Sequence, residues 1–163
     1  MRVSAESALV AMRDTVALWH VGQANAAEIV YAACDLLVAG VDGPALRMLA
    51  AVSARDVRVD SYEVTVLLES VMTELGLPYF PKESPEGQER ALKAMASRVL
   101  AGVMPPHELT CWVHQVFGHD GIDLAQPLVE LDDVYDYADC TAMTVEDIDA
   151  QVLAEAKRLV ALP

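Results

Sequence analysis

The chain has 163 residues, 54% of them hydrophobic and 22% charged, with a formal net charge of −14. That length fits one domain burying roughly two-thirds of its unfolded surface, and the apolar content excludes a mainly disordered chain. The negative balance argues against nucleic acid or an anionic membrane as a partner held by the charge field.

Near the N-terminus, Glu6, Arg13 and Asp14 interrupt any signal-peptide core, and no apolar run reaches the ~18 residues that a membrane span requires. The three cysteines, Cys34, Cys111 and Cys140, are odd in number and widely spaced, so they form no disulfide framework. Reduced thiols and a cytoplasmic location are the expectation.

A first helix is expected from about Ser4 to Trp19, with Ala8, Leu9, Met12, Val16 and Trp19 at helical spacing. Asn25 followed by Glu28 has the form of a capping box, and opens a second helix that Gly40 stops. Its Cys34 falls beside the apolar stripe and reads as a buried, inert thiol. Asp42-Gly43-Pro44 starts a short third helix.

Residues 57–66 are ambiguous. Val57, Val59, Val64 and Val66 suggest a strand, whereas Val64, Leu67, Leu68, Val71 and Leu75 keep a helical period. The longer pattern predicts a helix from Ser61 to Leu75. The proline-bounded loop Leu77 to Ser84 carries Tyr79 and Phe80, either as a lid on the core or as an exposed aromatic contact.

Ser84 and Pro85 open the next helix, with Leu92, Met95, Ala96, Val99 and Val103 as its inner stripe. Pro106 opens another, with Leu109, Trp112, Val113 and Val116 facing inward. The last helix has Thr144 as its cap, acidic residues in its first turns and Lys157 and Arg158 near its end, an order that complements the helix dipole.

Between the last two lies Gly118–Cys140, a stretch dominated by carboxylates. No lysine or arginine occurs between Arg98 and Lys157, and residues 99–156 carry twelve carboxylates. The stretch shows no clear helical period and reads as a long loop pinned by Ile122, Leu124, Leu128, Val129, Leu131 and Val134. The expected fold is therefore all-α: one domain over 1–163, a compact bundle of six to seven helices with one long, packed acidic loop before the C-terminal helix.

Chemistry is sparse. His107, Cys111 and His114 share a helical stripe, with His119 just beyond, and zinc accepts imidazole, thiolate and carboxylate. The spacing lacks paired ligand knuckles and a distant second ligand pair, so no metal is expected there. Cys111 sits in the wrong field for a thiolate nucleophile. No phosphate-cradling loop, nucleophile elbow or dinucleotide fingerprint is present, so no cofactor is implied and catalysis is not the expectation.

Asp132, Asp133, Tyr135, Asp136, Tyr137 and Asp139 instead interleave carboxylates with tyrosines, a composition suited to attracting and gripping a basic protein. The general profile resembles, in type, bacterial immunity proteins and other inhibitors of basic toxins, a likeness that assigns no residues. The expectation is a non-catalytic, immunity- or antitoxin-like binding module. Its alternatives are a nucleic-acid-mimicking inhibitor and a metal-dependent helical enzyme using His107, Cys111, His114 and His119.

Overall fold

The computed structural model describes residues 3–163, and they form eight α-helices and three short 3-10 turns. No strand occurs among the described residues, so the all-α class is as expected. The count exceeds the expected six to seven because the acidic stretch supplies a helix of its own. Contacts divide the chain into two compact units, residues 1–87 and 88–163.

The first unit contains α1 (Ala5–His20), α2 (Ala26–Val38), α3 (Pro44–Ala50) and α4 (Tyr62–Glu74). The helix at its centre is α2, which packs against the other three. Its alanines, Ala26, Ala27, Ala32 and Ala33, let neighbouring backbones approach, while Ile29, Val30 and Leu36 fill the remaining volume. Burying a side chain such as Leu36 contributes roughly 1.5–3 kcal/mol. The capping box at its start is complete: Asn25 Oδ1 accepts from Glu28 N at 3.1 Å, and Glu28 Oε2 accepts from Asn25 N at 2.7 Å.

Residues 57–66 form no strand, and the helix expected from Ser61 is present from Tyr62. Val57 is buried in a 3-10 turn (Asp56–Arg58), Val59 is 92% exposed, and α4 begins at Tyr62. Val64, Leu68, Val71 and Met72 then form one buried stripe. A strand would have alternated Val57 and Val59 with their neighbours across a sheet, and no partner strand exists among the described residues to receive them.

The start of α3 is completed by a distant residue. Gly43 has no side chain to offer, and the Glu74 carboxylate accepts from Ala45 N at 3.0 Å and Leu46 N at 2.9 Å. An anion at a helix N-terminus is favoured by both the free N–H groups and the dipole. Leu46 and Leu49, which this cap helps to place, have no exposed surface.

Of the two readings of the aromatic loop, the lid describes Tyr79. The ring packs against the core of this unit and meets His20 edge-on, 6.4 Å between centroids. Burial first, and then the charge of Lys82, push the His20 pKa below its ordinary value.

The second unit holds α6 (Pro106–Phe117), α7 (Gln126–Asp136), α8 (Val145–Ala161) and all but the first turn of α5 (Pro85–Leu100). Ser84 Oγ caps α5 by accepting from Gly87 N at 3.1 Å. Leu92, Met95, Ala96 and Val99 are buried as expected, whereas Val103 lies past the helix end, beyond the left-handed Gly102 (φ 72°), and is exposed. Lys93 Nζ donates to Pro163 O at 2.6 Å, tying α5 to the end of α8. In unit two α6 packs on α7, α7 on α8, and α6 on α8. Thr144 and Asp147 form the capping box of α8, with Asp147 N to Thr144 Oγ1 at 3.2 Å.

Replacing the distant cap tests its weight. Glu74→Ala should lower the stability measured by urea denaturation by about 1 kcal/mol through the unsatisfied start of α3. Thr73→Ala, one residue earlier on an exposed position of α4, should change it by less than about 0.5 kcal/mol.

Candidate functional site

The acidic stretch is the part of the chain that departs most from expectation. Gly118 ends α6 with φ 58° and ψ −170°, a conformation open essentially to glycine alone. The chain then doubles back closely over α6: a side-chain carbon at Gly121 would stand 2.4 Å from Phe117 O. Gln126 Nε2 pins this turn by donating to Gly118 O at 3.1 Å. A 3-10 turn (Asp123–Ala125) runs directly into α7, so Asp132, Asp133, Tyr135 and Asp136 stand on a helix and not on a loop.

Helical geometry sends these acidic residues in different directions. Asp132 faces α6, and its side chain is only 14% exposed. Its Oδ1 accepts from Thr110 Oγ1 at 2.9 Å, and its Oδ2 lies 2.9 Å from His114 Nδ1. Thr110 is fully buried, and its hydroxyl also lies 2.9 Å from His107 O, so one proton is shared between two acceptors. A carboxylate this enclosed needs charged or polar donors, and with no lysine or arginine in the segment they are an imidazole and a hydroxyl.

The other histidines collect around the same two aspartates. His107 Nε2 lies 3.7 Å from Asp132 Oδ1, and its ring stacks on Tyr135 with centroids 4.1 Å apart. Asp133 Oδ1 is 3.8 Å from His114 Nδ1, while Asp133 Oδ2 is 3.5 Å from His119 Nε2. The His114 and His119 rings meet edge to face at 5.0 Å. Two neighbouring groups of potential ligands result: His107, Cys111 and Asp132, and His114, His119 and Asp133. Asp132 and Asp133 thus stand beside the His/Cys stripe as potential distant ligands that its spacing did not reveal.

Cys111 remains a thiol in this setting. Burial first, and then the hydrogen bond and charge of Asp132, hold its pKa above the ordinary value. Tyr135 reaches the other way and donates its hydroxyl to Asp149 Oδ1 of α8. Its pKa is raised strongly, chiefly by burial and then by that hydrogen bond and the Asp149 charge.

Asp136, Tyr137 and Asp139 stand outside these groups. All three are exposed at the end of α7 and in the following 3-10 turn (Ala138–Cys140), with Tyr137 64% exposed. The six residues expected to form one docking surface are therefore divided: Asp132, Asp133 and Tyr135 are tied into internal contacts, and the other three are free of the histidine cluster.

A second feature follows from α7 being a helix. Pro127, Glu130, Leu131 and Val134 line one side of an open groove of about 590 Å³, and Gln151, Ala154, Glu155 and Arg158 of α8 line the other. Both sets follow i, i+3, i+4, i+7. Leu131, Val134, Ala154 and Pro127 supply the apolar surface, and Glu130 stands exposed at the rim. Arg158 is held by Glu155, Nη2 to Oε1 at 2.6 Å.

No protein-family model, curated protein or solved structure matches the chain.

The Tyr135–Asp149 contact makes a pH prediction. A phenol whose pKa is higher folded than unfolded stabilises the fold fully below about pH 10, the unfolded value, and this stabilisation is lost as pH rises past it. Tyr135→Phe should therefore cost about 1 kcal/mol at pH 8 and show a smaller further loss than the wild type between pH 9 and pH 11. Equal alkaline losses by urea denaturation would contradict the contact.

Proposed function

We propose that the chain is a non-catalytic protein-binding module, of the kind that immunity proteins and antitoxins represent, and that it docks a basic partner on the surface of α7 and α8. The observation that carries this reading is the groove of about 590 Å³ between two helical stripes, set in a segment of twelve carboxylates without lysine or arginine from residue 99 to 156.

The physical argument has two parts. The acidic field raises the local concentration of a cationic partner and speeds encounter, most strongly at low salt. Leu131, Val134, Pro127 and Ala154 then offer apolar area in a shape that suits an amphipathic helix laid into a groove. Tyr137, three residues beyond Val134 and exposed, adds a rigid ring with a polar tip. Asp136 and Asp139 contribute to the field at that end. The occupant that fits both parts is a basic amphipathic helical segment of another protein, and the compartment proposed for the encounter is the cytoplasm.

A synthetic helical peptide with leucine on one face and lysine on the other serves as the probe. Leu131→Lys should weaken its binding at least tenfold, a loss of about 1.4 kcal/mol, with the helical circular-dichroism signal unchanged. Asp136→Lys with Asp139→Lys should mainly slow association and flatten its salt dependence. Undiminished binding by Leu131→Lys, or equal binding of an acidic version of the peptide, would sink the groove as the docking surface.

A further inference from the structure

We propose that His114, His119 and Asp133 form a binding site for a zinc-class divalent cation, with Asp132 as the positioning residue behind His114. The site goes beyond the docking surface and stands independently of it.

Three observations converge on it. The first is the ligand set. Two imidazoles and one carboxylate, with all three ligand atoms within 4.8 Å of one another, suit zinc and neighbouring late first-row dications, whereas calcium and magnesium take oxygen ligands. The second is spacing. Zinc–nitrogen and zinc–oxygen bonds of about 2.0–2.1 Å place the ligand atoms of a tetrahedral site about 3.3 Å apart. Asp133 Oδ2 lies 3.5 Å from His119 Nε2, long for a good hydrogen bond and a few tenths of an ångström from a coordination edge.

The third is the support behind the ligands. Metal-binding histidines commonly donate their second ring N–H to a carboxylate, which fixes the ring and its tautomer. His114 Nδ1 has that partner in Asp132 Oδ2 at 2.9 Å, and Asp132 is itself held by the buried Thr110 hydroxyl. With its proton on Nδ1, the neutral ring keeps a lone pair on Nε2 for the metal. The second ligand is positioned with equal economy. His119 follows directly on Gly118, whose glycine-only conformation turns the chain at the end of α6, and Gln126 holds that turn. Three protein ligands leave a fourth position for water or for a group from a partner.

The neighbouring group is the weaker candidate. Its carboxylate ligand would have to be Asp132. Asp132 is committed to Thr110 and His114.

The test uses the full chain, free of any affinity tag and stripped with chelator, titrated with zinc alone against a competing chromophoric chelator. One zinc per chain is expected, with a thermal midpoint raised by about 5–10 °C at a zinc concentration one hundred times the dissociation constant. His119→Ala and Asp133→Asn should each abolish stoichiometric binding, and Asp132→Asn should weaken it about 10–100-fold. His107→Ala and Cys111→Ser should leave it unchanged, and the cobalt-substituted protein should lack thiolate charge-transfer absorption. Circular dichroism of each zinc-free variant, matched to the wild type, excludes unfolding as the cause of a loss. Failure of the wild type to bind one equivalent overturns the proposal, as does binding that survives in His119→Ala or disappears in Cys111→Ser.

Discussion

Asp132 is the residue on which the second unit turns. It is an enclosed carboxylate in a stretch of chain without a single lysine or arginine, so it takes its donors from Thr110 and His114 of the helix it packs against. A buried charge without donors is costly enough to prevent packing. Two donors on successive turns of α6, four residues apart, set the rotation of α7. That rotation puts Leu128 and Val129 into the core, Asp133 beside His119, and Leu131 and Val134 along the groove with α8.

The sequence pattern reveals the helices whose ends are chemically marked. Asn25 with Glu28, Ser84 with Pro85 and Thr144 with Asp147 each act at the expected place, because a side-chain cap at the N-terminus is a local interaction. The helix α7 carries no such mark. Its cap position is Ala125, already in the helical region and fed by a 3-10 turn, and Pro127 in its first turn looks like a breaker although it removes no bond there. With α7 read as a loop, its carboxylates could be treated as one surface. The helix separates them around its circumference.

The ligand groups and the groove also depend on α7 being a helix. His107, Cys111, His114 and His119 are visible in the sequence as a stripe and its extension, but Asp132 and Asp133 join them only across the α6–α7 contact. Glu74, the last residue of α4, is a parallel case: it caps the start of α3 from 28 and 29 residues away. Non-local pairs of this kind leave no periodic trace. A local signal is nonetheless present, because Leu124, Leu128, Leu131 and Tyr135 keep a helical spacing within the dense run of charge.

The acidic segment therefore has two faces with different chemistry: one turned to the histidines of α6, the other to the groove with α8. Both depend on the contact between Asp132 and His114. Its strength is measured most directly by a double-mutant cycle of His114→Ala and Asp132→Ala, read by urea denaturation of chelator-treated protein. The structure predicts a coupling of about 1 kcal/mol or more between the two substitutions. Effects that add with no coupling would show that this pair does not hold α7 against α6.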